Sequence, residues 1–205
     1  NNKAIRQIYD LAIKSKFAND NLKSDVVSAL YPMDIFAAYI LTQANQRYGQ
    51  NERTLFSFLE ATGDDSIANF SASNNSLYNL TKVYDYVQYN FHSSLTEVNA
   101  DSTNWSAIKI AIERVEGLPL EESEIETAIG LVKVIGLLNI FASSATKIDS
   151  DFLAQYARLS MGVNDILPLM GKLEKAQIIR FAKYKSKYIL FEGTDVDIEM
   201  GLYNA

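Results

Sequence analysis

The chain has 205 residues, enough for one large domain or two small ones, and its 48% hydrophobic and 21% charged residues are the balance of a folded protein. It contains no Cys and a single His, His92, which excludes disulfide frameworks, thiolate zinc sites, Cys nucleophiles and clusters of His ligands. The formal net charge of -6 argues against a protein built mainly to sit on nucleic acid.

The 9 Gly and 3 Pro favour long helices over a turn-rich β fold. The first predicted element is an amphipathic helix, with Ile5, Ile8, Tyr9, Ala12 and Ile13 on one stripe and Lys3, Arg6, Lys14 and Lys16 on the other side. A second helix is expected from Pro32 to Tyr48, with proline in its first turn, Ile35, Phe36, Tyr39, Ile40 and Gln43 on its face, and Gly49 ending it. Asn51 can cap a third helix to Glu60 that buries Leu55, Phe56 and Leu59. Residues 62–76 are rich in Ser, Asn and Asp and read as a loop. A helix from Leu77 to Phe91 follows, with Leu80, Tyr84, Val87 and Phe91 in register. The next runs from Asp101 to Val115 with Trp105, Ile108, Ala111, Ile112 and Val115 inward. Gly117 and Pro119 mark a boundary, so residues 1–120 are assigned to a helical subdomain.

The second half reads differently. Ser123 and Glu126 have the spacing of a capping box at the start of a helix carrying Ile129, Val132, Ile135, Gly136 and Leu138. Lys147-Ile148 has the look of a short strand, Asp149 or Ser150 of a cap for a helix with Phe152, Leu153 and Tyr156, and Asn164 or Asp165 of the start of another. The period then changes to two over Ile178–Lys183 and Lys187–Phe191, a β-hairpin turning at Tyr184-Lys185-Ser186. Helix, strand, helix, helix, hairpin is the element order of a winged helix-turn-helix, assigned to residues 121–192. Residues 193–205 open a further helical pattern, and both ends are expected to be internal points of a longer polypeptide. The fold class is therefore mainly α: a helical subdomain followed by a winged helix with a C-terminal hairpin wing.

Chemistry is sparse. There is no G-x-x-x-x-G-K-S/T loop to cradle phosphates, no G-x-G-x-x-G, and no G-x-S-x-G elbow beside His92. The acidic groups Asp64-Asp65, Glu121-Glu122-Glu124 and Asp195-Asp197 could serve metal or acid–base work, or simply favour helix starts and loops. Residues 171–190 carry Lys172, Lys175, Arg180, Lys183, Lys185 and Lys187 against Glu174, a local +5 that leaves -11 for the rest of the chain. Those six cations are the candidate nucleic-acid contacts; the alternative is that lysines solvate an edge strand and block pairing. Tyr78, Tyr84, Tyr86, Tyr89 and Phe91 form either a base-stacking set or a core face. No apolar run reaches the ~18 residues that span a bilayer, so no membrane partner is expected, and a Cys-free chain fits the cytoplasm.

Three segments resemble one family. Tyr31-Pro32 followed by the run GQNERTLFSFL over residues 49–59, VKVIGLLN over 132–139, and YILFEGTDVDIE over 188–199 are similar in order and spacing to a region of large bacterial P-loop ATPases of the AAA+ and STAND type. The resemblance implies a lid-like helical subdomain and a winged helix lying downstream of an ATPase core that holds the Walker motifs. It implies ATP and Mg²⁺ for the parent protein and no cofactor or catalytic centre in this chain. It makes Arg53, at a lid-helix start, the one nucleotide-sensing candidate, because a guanidinium can pair with phosphate in bidentate fashion. The implied partners are the upstream core of the same polypeptide and a further protein or DNA. The sequence thus frames a non-enzymatic regulatory region of a larger ATPase, with an autonomous winged-helix DNA-binding module as the alternative.

Overall fold

At the centre of the molecule is a helix with almost no polar face. Glu122–Phe141 buries Ala128, Leu131, Val132, Val134, Ile135, Leu137, Leu138 and Phe141, positions spread around the whole helix. A helix apolar all round must be covered on every side, and this one is. In the computed structural model, which describes residues 2–18, 24–49, 53–62, 66–70, 76–96 and 100–191, the helices in chain order are α1 (Asn2–Lys14), α2 (Ser24–Ser28), α3 (Ile35–Tyr48), α4 (Arg53–Glu60), α5 (Leu80–Asn90), α6 (His92–Thr96), α7 (Ser102–Glu116), α8 (Glu122–Phe141), α9 (Ser150–Tyr156) and α10 (Leu167–Lys175). Strands β1 (Ile179–Ala182) and β2 (Lys187–Leu190) close the chain order of the described residues. The protein is mainly helical with a C-terminal two-stranded hairpin.

α5, α7, α10 and β2 surround α8. The approach of α7 is close because position 136 has no side chain: a Cβ built on Gly136 would fall 2.5 Å from Ile108 Cδ1. One continuous apolar core joins α1, α3, α5 and α7 to α8, α9 and α10. Arg114 of α7 reaches across to donate to the Ala176 carbonyl beyond α10, at 2.8 Å.

The second half follows the winged-helix order. α8 leads to Ile148, whose N–H donates to the Ser186 carbonyl and whose carbonyl accepts from Tyr188 N–H, so it lies beside Lys187 in parallel. Asp149 caps α9 by accepting from Phe152 N–H at 2.9 Å. β1 and β2 pair antiparallel from Ile179 with Leu190 to Ala182 with Lys187. The chain reverses through a 3-10 turn, Lys183–Lys185, and Ser186 at φ 52.

Several local expectations shift. Pro32 lies outside α3; its carbonyl accepts from Tyr78 N–H, and Asp34 caps the helix instead. Tyr39 falls outside the buried face of α3, which runs through Ala37, Ile40, Leu41, Ala44 and Tyr48. α8 begins at Glu122, so Ser123 is already inside the helix and the capping box does not form. α10 starts at Leu167, with Ile166 rather than Asn164 or Asp165 at its cap. Asp64-Asp65, Asp195-Asp197 and residues 193–205 lie outside the described residues.

Candidate functional site

The most buried polar assembly was not among the sequence candidates. Asp34 is fully buried, and its Oδ1 accepts from Ala37 N–H at 2.8 Å, capping α3. Its Oδ2 accepts from the Tyr156 hydroxyl at 2.8 Å and from the Ser160 hydroxyl. Tyr156 in turn accepts from Leu80 N–H at 3.0 Å. The Ser160 carbonyl takes Leu77 N–H at 2.9 Å and Asn79 Nδ2 at 3.0 Å. Asn79 meanwhile caps α5 through its Oδ1. These groups form a polar seam that fastens the starts of α3 and α5 to the end of α9. Burial pushes the Asp34 carboxyl up to about 6, against the pull of its four hydrogen bonds. The Tyr156 hydroxyl is held well above its ordinary value by burial and by the neighbouring carboxylate.

Ser160 reaches Asp34 from a π-helical segment, Ala157–Met161, which continues α9 and ends at Gly162 in the left-handed region, φ 72. Such single-turn π segments recur at functional positions because they redirect side chains out of α register. Nothing local in the sequence marks Asp34, since its two hydroxyl partners lie 122 and 126 residues away.

Arg53 is the first residue of α4, and its side chain lies outside the described residues. α4 itself departs from expectation. Phe58 is its anchor, buried at 5.7 Å from the Tyr78 ring and 4.8 Å from the Tyr86 ring. Phe56 lies about 200° around the helix from Phe58 and is 66% exposed; Leu55 and Leu59 are 44% and 52% exposed. A short helix pinned by one aromatic ring presents the rest of its apolar surface to solvent.

The six cations of residues 171–190 divide. Lys187 is 6% exposed and donates to the Ser143 carbonyl at 2.7 Å; burial, then Lys185, lowers its pKa. That side chain supports the base of the hairpin and cannot meet a phosphate, which corrects the sequence expectation. Lys172 is paired with Glu124 at 2.6 Å, tying α10 to α8. Arg180 is half-buried on β1. Lys175, at the end of α10, and Lys183 and Lys185, at the hairpin tip, are exposed, and Lys185 lies over the Tyr184 ring at 5.3 Å.

α10 occupies the position of a recognition helix. Its exposed side is Leu167, Pro168, Gly171, Lys172, Glu174 and Lys175. Apart from the cations it offers no Asn, Gln or Arg to the edge of a base, and a Cβ at Gly171 would meet nothing within 4 Å. Of the aromatic set, Tyr78, Tyr84 and Phe91 are core, Tyr86 packs on Phe58 and Phe91, and Tyr89 projects into solvent.

Among the described residues, no group of three or more acidic or His side chains could hold a metal ion, and no helix is long and apolar enough to cross a membrane. No protein-family model, curated protein or solved structure matches the chain.

Proposed function

We propose that the chain is a non-catalytic regulatory and interaction region of a large P-loop ATPase, which couples the nucleotide state of an upstream core to a partner. The observation that carries this reading is the exposed apolar surface of α4. Leu55, Phe56 and Leu59 belong to the GQNERTLFSFL run on which the family resemblance rests, and all three face solvent. Exposed apolar side chains clustered on one short helix mark a surface that another protein covers. In this reading the ATPase core covers α4, and Arg53 at its start senses the nucleotide. The seam from Asp34 to Tyr156 and Ser160 then carries displacement of α3 to the winged helix. A polar junction with fixed hydrogen-bond partners transmits motion as a unit.

The test uses the parent polypeptide. Its reading frame is expected to hold a P-loop upstream of Asn1. Replacing Leu55, Phe56 and Leu59 together by Ser in that protein is expected to change ATP hydrolysis several-fold, while the Tm of the isolated chain changes little. A parent reading frame without a P-loop overturns the proposal.

A second reading, a winged-helix DNA-binding module, is favoured by exposed Lys175, Lys183 and Lys185. It predicts a mobility shift at low salt that is lost in the triple Lys→Glu variant. Absence of a shift at micromolar protein removes it. The apolar character of the exposed α10 face makes it the weaker of the two.

A further inference from the structure

A pocket of about 500 Å³ opens where α1 meets the π-helical segment. Lys3 and Gln7 enter from α1, Arg158 from the π-helical segment, Asn164 from the strand-like stretch after it, and Tyr31 and Ser76 from the two loops that flank the polar seam. The volume is that of a small-molecule site. Its charge is the unusual feature. The chain carries a net -6, yet no acidic residue is among the described residues lining this pocket. Lys3 and Arg158 are exposed, and neither has an ion-pair or hydrogen-bond partner among the described residues. By contrast Lys14, Arg47, Lys133 and Lys172 each pair with a carboxylate.

We propose that this pocket binds a small ligand through a phosphate group. Two cations from different elements converge with the neutral donors of Gln7, Asn164 and Ser76. A tetrahedral group with three acceptor oxygens uses such a set more fully than a carboxylate, which offers two. Arg158 supplies a fork that accepts two oxygens, and Lys3 a mobile point charge. Tyr31 gives an aromatic wall for the organic part of a phosphate ester. The floor is Leu77 and Leu159, next to Ser160 in the chain, so an occupant bridges α1 to the π-helical segment across the outer side of the seam. Binding therefore stabilises the junction between the first and last thirds of the chain, and does so whether or not an ATPase core is attached.

The experiment is titration of the chain with pyrophosphate and, separately, with a nucleoside monophosphate, read by calorimetry and by Tm at low salt. Saturable binding is expected, with Tm rising by roughly 5 °C at a hundredfold excess over Kd. Lys3→Glu and Arg158→Glu should each weaken it at least tenfold, and Lys183→Glu should leave it unchanged. Both mutated side chains are exposed; the milder Lys3→Gln and Arg158→Gln serve if either charge reversal disturbs folding. Tighter binding of the monophosphate, with the advantage lost in Tyr31→Ala, identifies an ester; equal binding identifies free phosphate groups. No saturable binding of either probe at millimolar concentration overturns the site. So does binding that Lys3→Glu and Arg158→Glu leave intact, or that Lys183→Glu weakens equally.

Discussion

The polar seam and the basic hairpin are both rich in ionisable groups, and they do opposite work. In the seam a single carboxyl, fully removed from water, has every bonding position used by groups from α3, α9 and the π-helical segment. In the hairpin, Lys183 and Lys185 stand in solvent, and what holds that region is apolar packing of β2 on α8 together with the inward-turned Lys187. A charge matters to the fold when removing it strands buried partners. A charge at the surface matters only to whatever approaches from outside.

Breaking the seam should have the largest effect. Asp34→Ala removes the α3 cap and leaves the buried Tyr156 and Ser160 hydroxyls without their acceptor, so a loss on the order of 3–4 kcal/mol is expected at pH 5 by chemical denaturation. A loss under about 1 kcal/mol would show that the seam is ornamental.

The pH dependence sharpens the same contrast. The Asp34 carboxyl titrates at about 6 in the folded chain against 3.8 unfolded. Between those values the folded chain holds a proton that the unfolded chain has released. The contribution therefore favours folding fully below about pH 4 and is lost as pH rises through about 6, amounting to about 3 kcal/mol. Asp34→Asn should flatten that fall, and the difference between the two stability–pH curves is the quantity to measure. Equal slopes would contradict the assignment.

Next in size is Gly136→Ala. The added methyl enters the space of Ile108, and even after the gain in helix propensity a net loss of about 1–2 kcal/mol is expected. Combining it with Ile108→Ala should recover part of that loss, which a double-mutant cycle reads directly. At the small end, Lys183→Glu with Lys185→Glu should move stability by no more than about 0.5 kcal/mol. A larger change would mean that the hairpin tip is held by its charges.

The parts legible in the sequence are those with a local signature. Helical periodicity marks α1, α5 and α7, the Asp149 cap marks α9, and the change of period to two marks the hairpin within a residue at each end. What stayed hidden depends on distant partners. The apolar residues of α4 have the composition of a buried face, yet only Phe58 finds the rings of Tyr78 and Tyr86 to pack on. Lys187 is one of four lysines and arginines on or beside the strands, and only the tertiary pairing with Ile148 and Ser143 turns it inward. Asp34 after a proline reads as part of a helix start, and its bonds to residues 156 and 160 need the whole fold to exist. The Lys3–Arg158 pocket is assembled across the chain in the same way.

The π-helical segment Ala157–Met161 has a consequence for how the gene can vary. A π turn holds one residue more than an α turn over the same span. Deleting a single codon between Phe152 and Gly162 would let the segment relax to regular α geometry. Every side chain beyond the deletion would then rotate by about 100° about the helix axis, and the Ser160 hydroxyl would swing away from Asp34. An inserted codon would rotate it the other way. Homologous chains that keep Asp34 should therefore keep the spacing from Asp149 to Gly162, while lengths elsewhere drift.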